Sequence, residues 1–314
     1  MKFRESKVEI IPQDWSLDGI YKMCEIAGRT AYKSEDRITE GSAKKFVEAL
    51  MKLKHGAVLE HGTVYLEIGG AISAGAWSND GPEGNEAISF YEKNKYSKVN
   101  SRYIGMGVYQ NYITTNLRVI FENDRMDDLK YLCEPTEHHE KRITAKFICS
   151  RSIAQEITRH RVFSFLMESQ RYVGYNKDKF GGEITIIIPE WVKARINDIA
   201  SYNNNDDLAR MSYAAALRDG RMHEDRAIIM WAVSQEMSET HYLSLTSELN
   251  VRAEEARSVL TNDCKTELVM TGFISDWEHF FDLRSKGTTG KPHPDIKILA
   301  DTLYLEFINK GYLK

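Results

Sequence analysis

The chain has 314 residues and a mass of 36.1 kDa, room for one large domain or two modest ones. Hydrophobic residues account for 42% and charged residues for 28%, which excludes a disordered chain, a collagen-like repeat and a disulfide-stapled miniprotein. A net charge of −4 supplies no global basic field, which argues against bulk nucleic-acid binding.

The stretch MKFRESKVEIIPQDW at the N-terminus lacks the apolar core of a signal peptide, and no run reaches the length of a membrane span. Cys24, Cys133, Cys149 and Cys264 form no C-x-x-C pair and match no zinc or disulfide framework, so a reducing cytoplasm is the expected compartment. No internal repeat and no Ser/Gly-rich hinge divides the chain. The expected organisation is therefore a single α+β domain with one long insertion.

In chain order, residues 42–54 predict an amphipathic helix, with Ala43, Phe46, Val47 and Leu50 at i, i+3, i+4 and i+7. His55-Gly56 closes it, with Gly56 as the expected left-handed cap. Residues 62–68 place Val64, Leu66 and Ile68 on one face of a half-buried strand. Residues 69–101, irregular and rich in Gly, Asn and Ser, read as a functional loop or lid. Residues 108–122 look strand-like and 125–133 helical. Residues 142–149 alternate, with Ile143, Ala145, Phe147 and a buried Cys149 on one face. A short helix is expected from Ser150 to His160, and a buried strand over 184–188 closed by Pro189. From about residue 207 the pattern is helical almost to the end. Strands early and helices late predict an α+β fold, not a doubly wound sheet.

Two arginines fall where periodicity asks for apolar residues. Arg257 is at i+4 from Ala253 in a stripe with Ala256 and Leu260, and Arg284 is at i+7 from Trp277 in a stripe with Phe280 and Phe281. Ser275-x-x-Glu278 reads as the capping box that frames the second helix. A guanidinium directed inward needs an anion, because an unpaired buried charge is very costly. A structural Arg–carboxylate pair, or a side chain snorkelling to the surface, is the plain alternative for either one alone. A third basic cluster tips the balance. Arg159-His160-Arg161 is followed by Ser164, Ser169, Arg171 and Tyr172. Successive helical side chains lie about 100° apart, so the basic triplet cannot share one helix face and belongs at a helix end or turn. Arginine forks suit phosphate and carboxylate oxygens. The segment reads as a site for a planar, phosphorylated ligand such as a nucleotide. His138-His139 has no partner at ligand spacing and reads as a solvated loop, so no metal is expected. Tyr103, Tyr109 and Tyr112 read as ordinary strand aromatics in preference to a platform for single-stranded nucleic acid. The competing functional readings are a nucleotide- or RNA-binding module lacking redox activity and a metal-dependent nucleotide hydrolase.

Arg159-His160-Arg161, seven residues, then Ser169-x-Arg171-Tyr172 resembles the signature of the flavin-dependent thymidylate synthases. His55-Gly56-x-x-Leu59-Glu60-His61 is similar to that family's H-x-x-P-F/L-E-H segment, and Arg257-Ser-Val-Leu260 to its A-R-x-V-L-P element. Thr266…Thr271-Gly272, Phe280-Phe281-x-Leu283-Arg284 and His293-Pro294-Asp295-Ile296 follow in the family's order. The likeness covers residues 20–68 and 142–310, and residues 69–142 exceed the compact family core as an atypical insertion within a single catalytic domain over 1–314.

The resemblance implies a twisted mixed β-sheet with flanking helices, assembled as a homotetramer with shared active sites. It implies conversion of dUMP to dTMP, with methylenetetrahydrofolate as carbon donor and NADPH, through FAD, as reductant. By position it implies Arg284 as the catalytic residue, polarising the pyrimidine in place of a cysteine nucleophile. It implies dUMP contacts from Glu156, Arg159, Glu168, Ser169, Gln170, Arg171, Arg257 and Arg284. It implies FAD contacts from His55, Arg159, His160, Arg161, Ser275 and His279. Ser169 has no base–orienter pair beside it and is read as a hydrogen-bonding group, not a nucleophile. The chain departs from the family pattern at Glu156, where a glutamine is usual, at Met167, at Phe273-Ile274-Ser275, at Thr261 and at Ala57.

Overall fold

A computed structural model of the chain describes residues 1–71, 80–105, 107–171, 174–175, 183–198 and 226–313. Strands β1 (Lys2–Arg4) and β2 (Lys7–Ile11) precede helix α1 (Leu17–Tyr32). Ser16 caps α1 by accepting the Gly19 N–H, and Lys33 ends it in the left-handed conformation. Helices α2 (Ser42–Lys52) and α3 (Gly56–Leu59) lead into strand β3 (Thr63–Ala71). Helix α4 (Gly81–Lys93), strands β4 (Lys98–Gly105) and β5 (Val108–Asn116) and helix α5 (Leu117–Glu122) follow. Next come β6 (Arg142–Ser150), α6 (Arg151–Ile157), β7 (Ser164–Met167), β8 (Thr185–Ile187) and α7 (Glu190–Asp198). Then α8 (Arg226–Leu243), α9 (Ala253–Ala256), β9 (Lys265–Phe273), α10 (Ile274–Phe281) and α11 (Pro294–Asn309) complete the described elements.

The α+β class is as expected. One sheet has the order β2-β6-β9-β7 and a second the order β3-β5-β4, both antiparallel throughout, while the one parallel pairing among the described strands joins β1 to β8. The first sheet packs Phe147, Leu268 and Met270 against Trp277, Phe280, Phe281 and Phe307 of α10 and α11. The second packs Val64, Leu66, Ile68 and Ile113 against Ile20 of α1, Val47 of α2 and Tyr91 of α4.

Several expectations need correction. The described part of 69–101 is regular where an irregular loop was expected: it holds the end of β3, all of α4 and the start of β4, and Asp80 Oδ2 accepts the Gly69 N–H at 2.6 Å, while residues 72–79 lie outside the described residues. Gly84, Ala87, Ile88 and Tyr91 form an ordinary i, i+3, i+4, i+7 buried face that the surrounding Gly and Asn disguised. Residues 117–122 are helical because Asn116 caps them, its Oδ1 accepting the Val119 N–H. The left-handed residue after α2 is Lys54, not Gly56. Gly56 opens α3, where a Cβ would stand 2.5 Å from Glu122 Oε1 and 2.8 Å from Arg118 Nε. The helical run expected from residue 207 lies outside the described residues as far as 225, and it is later broken by β9, the strand between β6 and β7. Strand β9 is buried along almost its whole length and carries Leu268, Val269 and Met270 in succession, which erases the alternation that marks a half-exposed strand. The frame of α10 is set by Asp276 Oδ2, which accepts the Phe273 N–H, and not by a Ser275 cap. His139 is buried, with Nε2 3.1 Å from the Leu66 carbonyl, so its ring serves β3 and is not part of a solvated loop.

Candidate active site

The basic triplet sits where α6 ends. Ser150 starts this helix by accepting the Ile153 N–H, and the backbone turns tightly after Ile157, with Arg159 N–H to Glu156 O and His160 N–H to Ile157 O. The turn splays the triplet as its spacing requires: Arg159 and Arg161 are exposed and His160 is buried. The imidazole lies edge-on to Phe280, with ring centroids 5.0 Å apart.

Arg284 meets His160 here. Its Nε donates to His160 Nε2 at 3.0 Å, and its Nη1 lies 3.7 Å from Glu156 Oε2. Burial, with Arg284, His279 and Arg159 adding to it, pushes the His160 imidazole down to about 4. The ring is therefore neutral near pH 7, and a neutral Nε2 is the acceptor the Arg284 Nε requires. The aromatic stripe places Arg284 less deeply than periodicity implies. Trp277, Phe280 and Phe281 fill the core, while the wider turn Asp282–Lys286 carries Arg284 to the rim, its side chain 22% exposed. A guanidinium held at Nε, with its fork at the rim, is able to face a planar polar ligand.

Burial alternates along the segment after β7, which turns at residues 170–171. Glu168 and Gln170 are buried, Ser169 is half-buried and Arg171 is exposed. Glu168 accepts from Lys265 Nζ at 2.9 Å, and Gln170 Nε2 lies 3.6 Å from Cys264 Sγ. Glu168 and Gln170 thus anchor the loop from inside. Arg171 Nε lies 3.7 Å from Glu254 Oε2 of α9. Arg257 follows α9 on a short turn and is exposed, so its expected inward direction is also corrected. The apolar stripe there is carried by Ala256, with Arg257 rotated off it. Tyr172 lies outside the described residues.

His55 is exposed at the start of α3, and His279 is exposed on α10. The buried Arg142 ties α3 to the segment after the basic triplet: its guanidinium donates to the Glu60 carbonyl at 3.1 Å and to Ser164 Oγ at 3.4 Å. Ser275 is engaged elsewhere, donating to Glu140 Oε1 at 2.6 Å and accepting from Lys98 Nζ at 2.7 Å. Glu156, Arg159, His160, His279 and Arg284 therefore form one neighbourhood.

One arginine escaped the sequence reading. Arg151, the first residue of α6, has its Nη1 buried without a hydrogen-bond partner. A cation at the positive end of a helix is disfavoured, and that placement was the available signal. All four cysteines are poor nucleophiles here. Burial pushes the thiols of Cys24, Cys133 and Cys149 up to about 12 and that of Cys264 up to about 11.

Residues 132–310 match the family model described as thymidylate synthase complementing protein. A flavin-dependent thymidylate synthase of Corynebacterium efficiens is 30% identical over 151 residues, covering 48% of this chain and 50% of that protein. A probable flavin-dependent thymidylate synthase of Paramecium bursaria Chlorella virus 1 is 26% identical over 167 residues, covering 52% and 66%. The matches span about half to two thirds of the length of these curated relatives. Among solved structures, a UMP/dUMP methylase of Streptomyces cacaoi bound with 5-Br dUMP aligns over 98% of this chain and 93% of that one, with 16% identity and a TM-score of 0.40.

Proposed function

The chain belongs to the thymidylate synthase complementing protein family, and we propose that it is a flavin-dependent thymidylate synthase, forming dTMP from dUMP with methylenetetrahydrofolate as carbon donor. FAD, when bound, supplies the reducing equivalents drawn from NADPH. The observation that carries this reading is the meeting of Arg284, His160 and Glu156 at the rim of an aromatic core, within the matched region.

The residues present fit FAD. The exposed guanidiniums of Arg159 and Arg161 flank a neutral imidazole, a donor set suited to a diphosphate and a polar heterocycle. His55, Arg159, His160, Arg161 and His279 would hold it, with Ser275 one helical turn from His279 on the same face of α10. For the pyrimidine, His160 fixes Arg284 by its Nε, and the fork, whose Nη1 lies 3.7 Å from Glu156 Oε2, would stabilise negative charge developing on the ring oxygens. Glu156, an acceptor when ionised, receives a hydrogen bond from an imide N–H. The outward Ser169 and Arg171, with Arg257 and the partnerless Nη1 of Arg151, would bind the phosphate.

We read residues 1–314 as one catalytic domain in which 69–142 is the atypical insertion. Homotetrameric assembly with shared sites, and a cytoplasmic location, belong to the same proposal. No described helix is long and apolar enough to cross a membrane. The test is direct. The purified protein should bind FAD, absorb near roughly 450 nm, bleach with NADPH and form dTMP from dUMP and methylenetetrahydrofolate. Protein that neither binds FAD nor forms dTMP would refute the reading.

A further inference from the structure

We propose that Glu267, Lys265, Lys146 and Lys33 form a buried positioning network that sets the path of the Glu168–Arg171 loop and so presents Ser169 and Arg171 to the substrate phosphate. The proposal deepens the reading of the site given above and rests on it.

The network draws on three distant segments. Lys265 Nζ bridges two carboxylates, at 2.9 Å from Glu168 Oε2 and 2.6 Å from Glu267 Oε1. Lys146 of β6 reaches Glu267 Oε2 at 2.6 Å. Lys33, the left-handed residue that ends α1, also bonds Glu267 Oε1. Backbone bonds fasten the loop to the same two elements, Glu168 N–H to Glu267 O at 2.8 Å and Ser169 N–H to Ala31 O at 3.0 Å. Both carboxylates are almost wholly buried. Burial alone would raise the Glu267 carboxyl, but Lys265, Lys33 and Lys146 hold it well below the usual carboxylate range.

Stability alone does not account for such a cluster. A buried ion pair recovers its desolvation penalty only with good geometry, and well-packed apolar residues often serve stability as well or better. Directional charge-assisted bonds do what apolar packing cannot, fixing which residue of a loop faces inward. Here they fix Glu168 inward, and beyond it Ser169 is half-buried and Arg171 exposed, in a turn where the Arg171 N–H donates to Ser169 Oγ at 3.3 Å. A loop released from these bonds would lose the placement of Ser169 and Arg171 and would leave Glu168 free to swing toward a dianion.

The test uses the FAD-loaded full chain. Dissociation constants for dUMP are read from the flavin absorbance change, kcat is measured at saturating dUMP, and hydrogen exchange is followed at the Ser169–Arg171 amides. Lys265→Met and Glu267→Gln should each weaken dUMP binding about tenfold, speed exchange in the loop and leave kcat within about threefold, whereas Lys265→Arg should bind within about threefold of the parent. The two disruptive variants change the local charge in opposite directions. A bulk field effect would therefore shift their affinities oppositely, and that result overturns the proposal. Affinities within about twofold of the parent in both variants overturn it as well. Should Lys265→Met fail to fold, Lys33→Met carries the same expectations. Arg171→Ala separates the two levels. If it binds dUMP as tightly as the parent, the assignment of the phosphate site falls; faster loop exchange in Lys265→Met is then still required of the network, and unchanged exchange sinks it.

Discussion

Acidification should destabilise this protein through His160 in an amount that a single substitution removes. The imidazole is pushed from its ordinary 6.5 down to about 4 in the folded chain. Between those values the unfolded chain binds the proton and the folded chain refuses it, so stability rises with pH there and is lost as pH falls. The shift of His160 to about 4 implies a loss of about 2 kcal/mol between about pH 7 and about pH 5. Protonation also converts the acceptor of the Arg284 Nε–H into a second cation 3.0 Å away, so it removes a hydrogen bond and adds a repulsion. The comparison is His160→Gln, whose amide oxygen accepts from Arg284 but takes up no proton in this range. Urea unfolding of both proteins across the interval should give curves of ΔG against pH that diverge by about this amount, with the variant flatter. The buried His61, pushed down to about 3, and His139, also lowered, contribute to both proteins and cancel in the difference. Parallel curves would show that His160 is not held neutral by its surroundings, and the account of Arg284 orientation would go with it.

Arg284→Ala should retain its circular dichroism and bound flavin yet form dTMP at least about 100-fold more slowly, since charge stabilisation at the ring is lost; near-parental turnover would remove Arg284 from the catalytic role. If the partnerless Nη1 of Arg151 serves the proposed phosphate site, Arg151→Ala should weaken dUMP binding about tenfold while leaving affinity for deoxyuridine unchanged; an equal loss for both ligands would contradict the assignment. With thiols raised to about 11 or 12, no cysteine is ionised near neutral pH. Mass spectrometry of the protein during turnover should accordingly find no nucleotide attached to sulfur, and a trapped adduct on any of the four would refute a mechanism without thiolate attack.

Which parts of this molecule could be read from its sequence follows from what each residue's neighbours show to water. Strand β6 was legible because Ile143, Ala145, Phe147 and Cys149 alternate with polar residues at 142, 144 and 146, although nearly all of the strand is buried. Strand β9, buried to the same extent, was not, because Leu268, Val269 and Met270 are apolar in succession and its Lys265 and Glu267 mimic solvent-facing charges. Helix α4 was hidden by its Gly and Asn content although its buried residues have helical spacing. The basic triplet was legible as a turn for a geometric reason: three successive cations cannot share one helix face, and the chain buries the middle one. Position within a motif did not reveal direction. Glu168, Ser169, Gln170 and Arg171 all sit in one matched segment, yet two face the core and two face out.

The residues that decide this direction were beyond reach for a deeper reason. Lys33, Lys146 and Lys265 are each, in local context, an unremarkable surface-type lysine. They acquire meaning only when α1, β6 and β9 are stacked and a single carboxylate, Glu267, is seen to collect all three. Groups that touch a ligand carry chemistry that limits their identity, so a motif records them. Groups that aim those residues need only complementary charge at the right distance, and many residue pairs supply that. Removing both partners should therefore be tolerated better than removing one. The double variant Lys265→Met with Glu168→Gln, which leaves Glu267 to Lys33 and Lys146, should recover more dUMP affinity than the weaker single variant retains, measured by the same flavin titration. If the double variant binds no better than the weaker single, the pair does not act as a unit, and the loop owes its path to the backbone bonds from Glu267 and Ala31 alone.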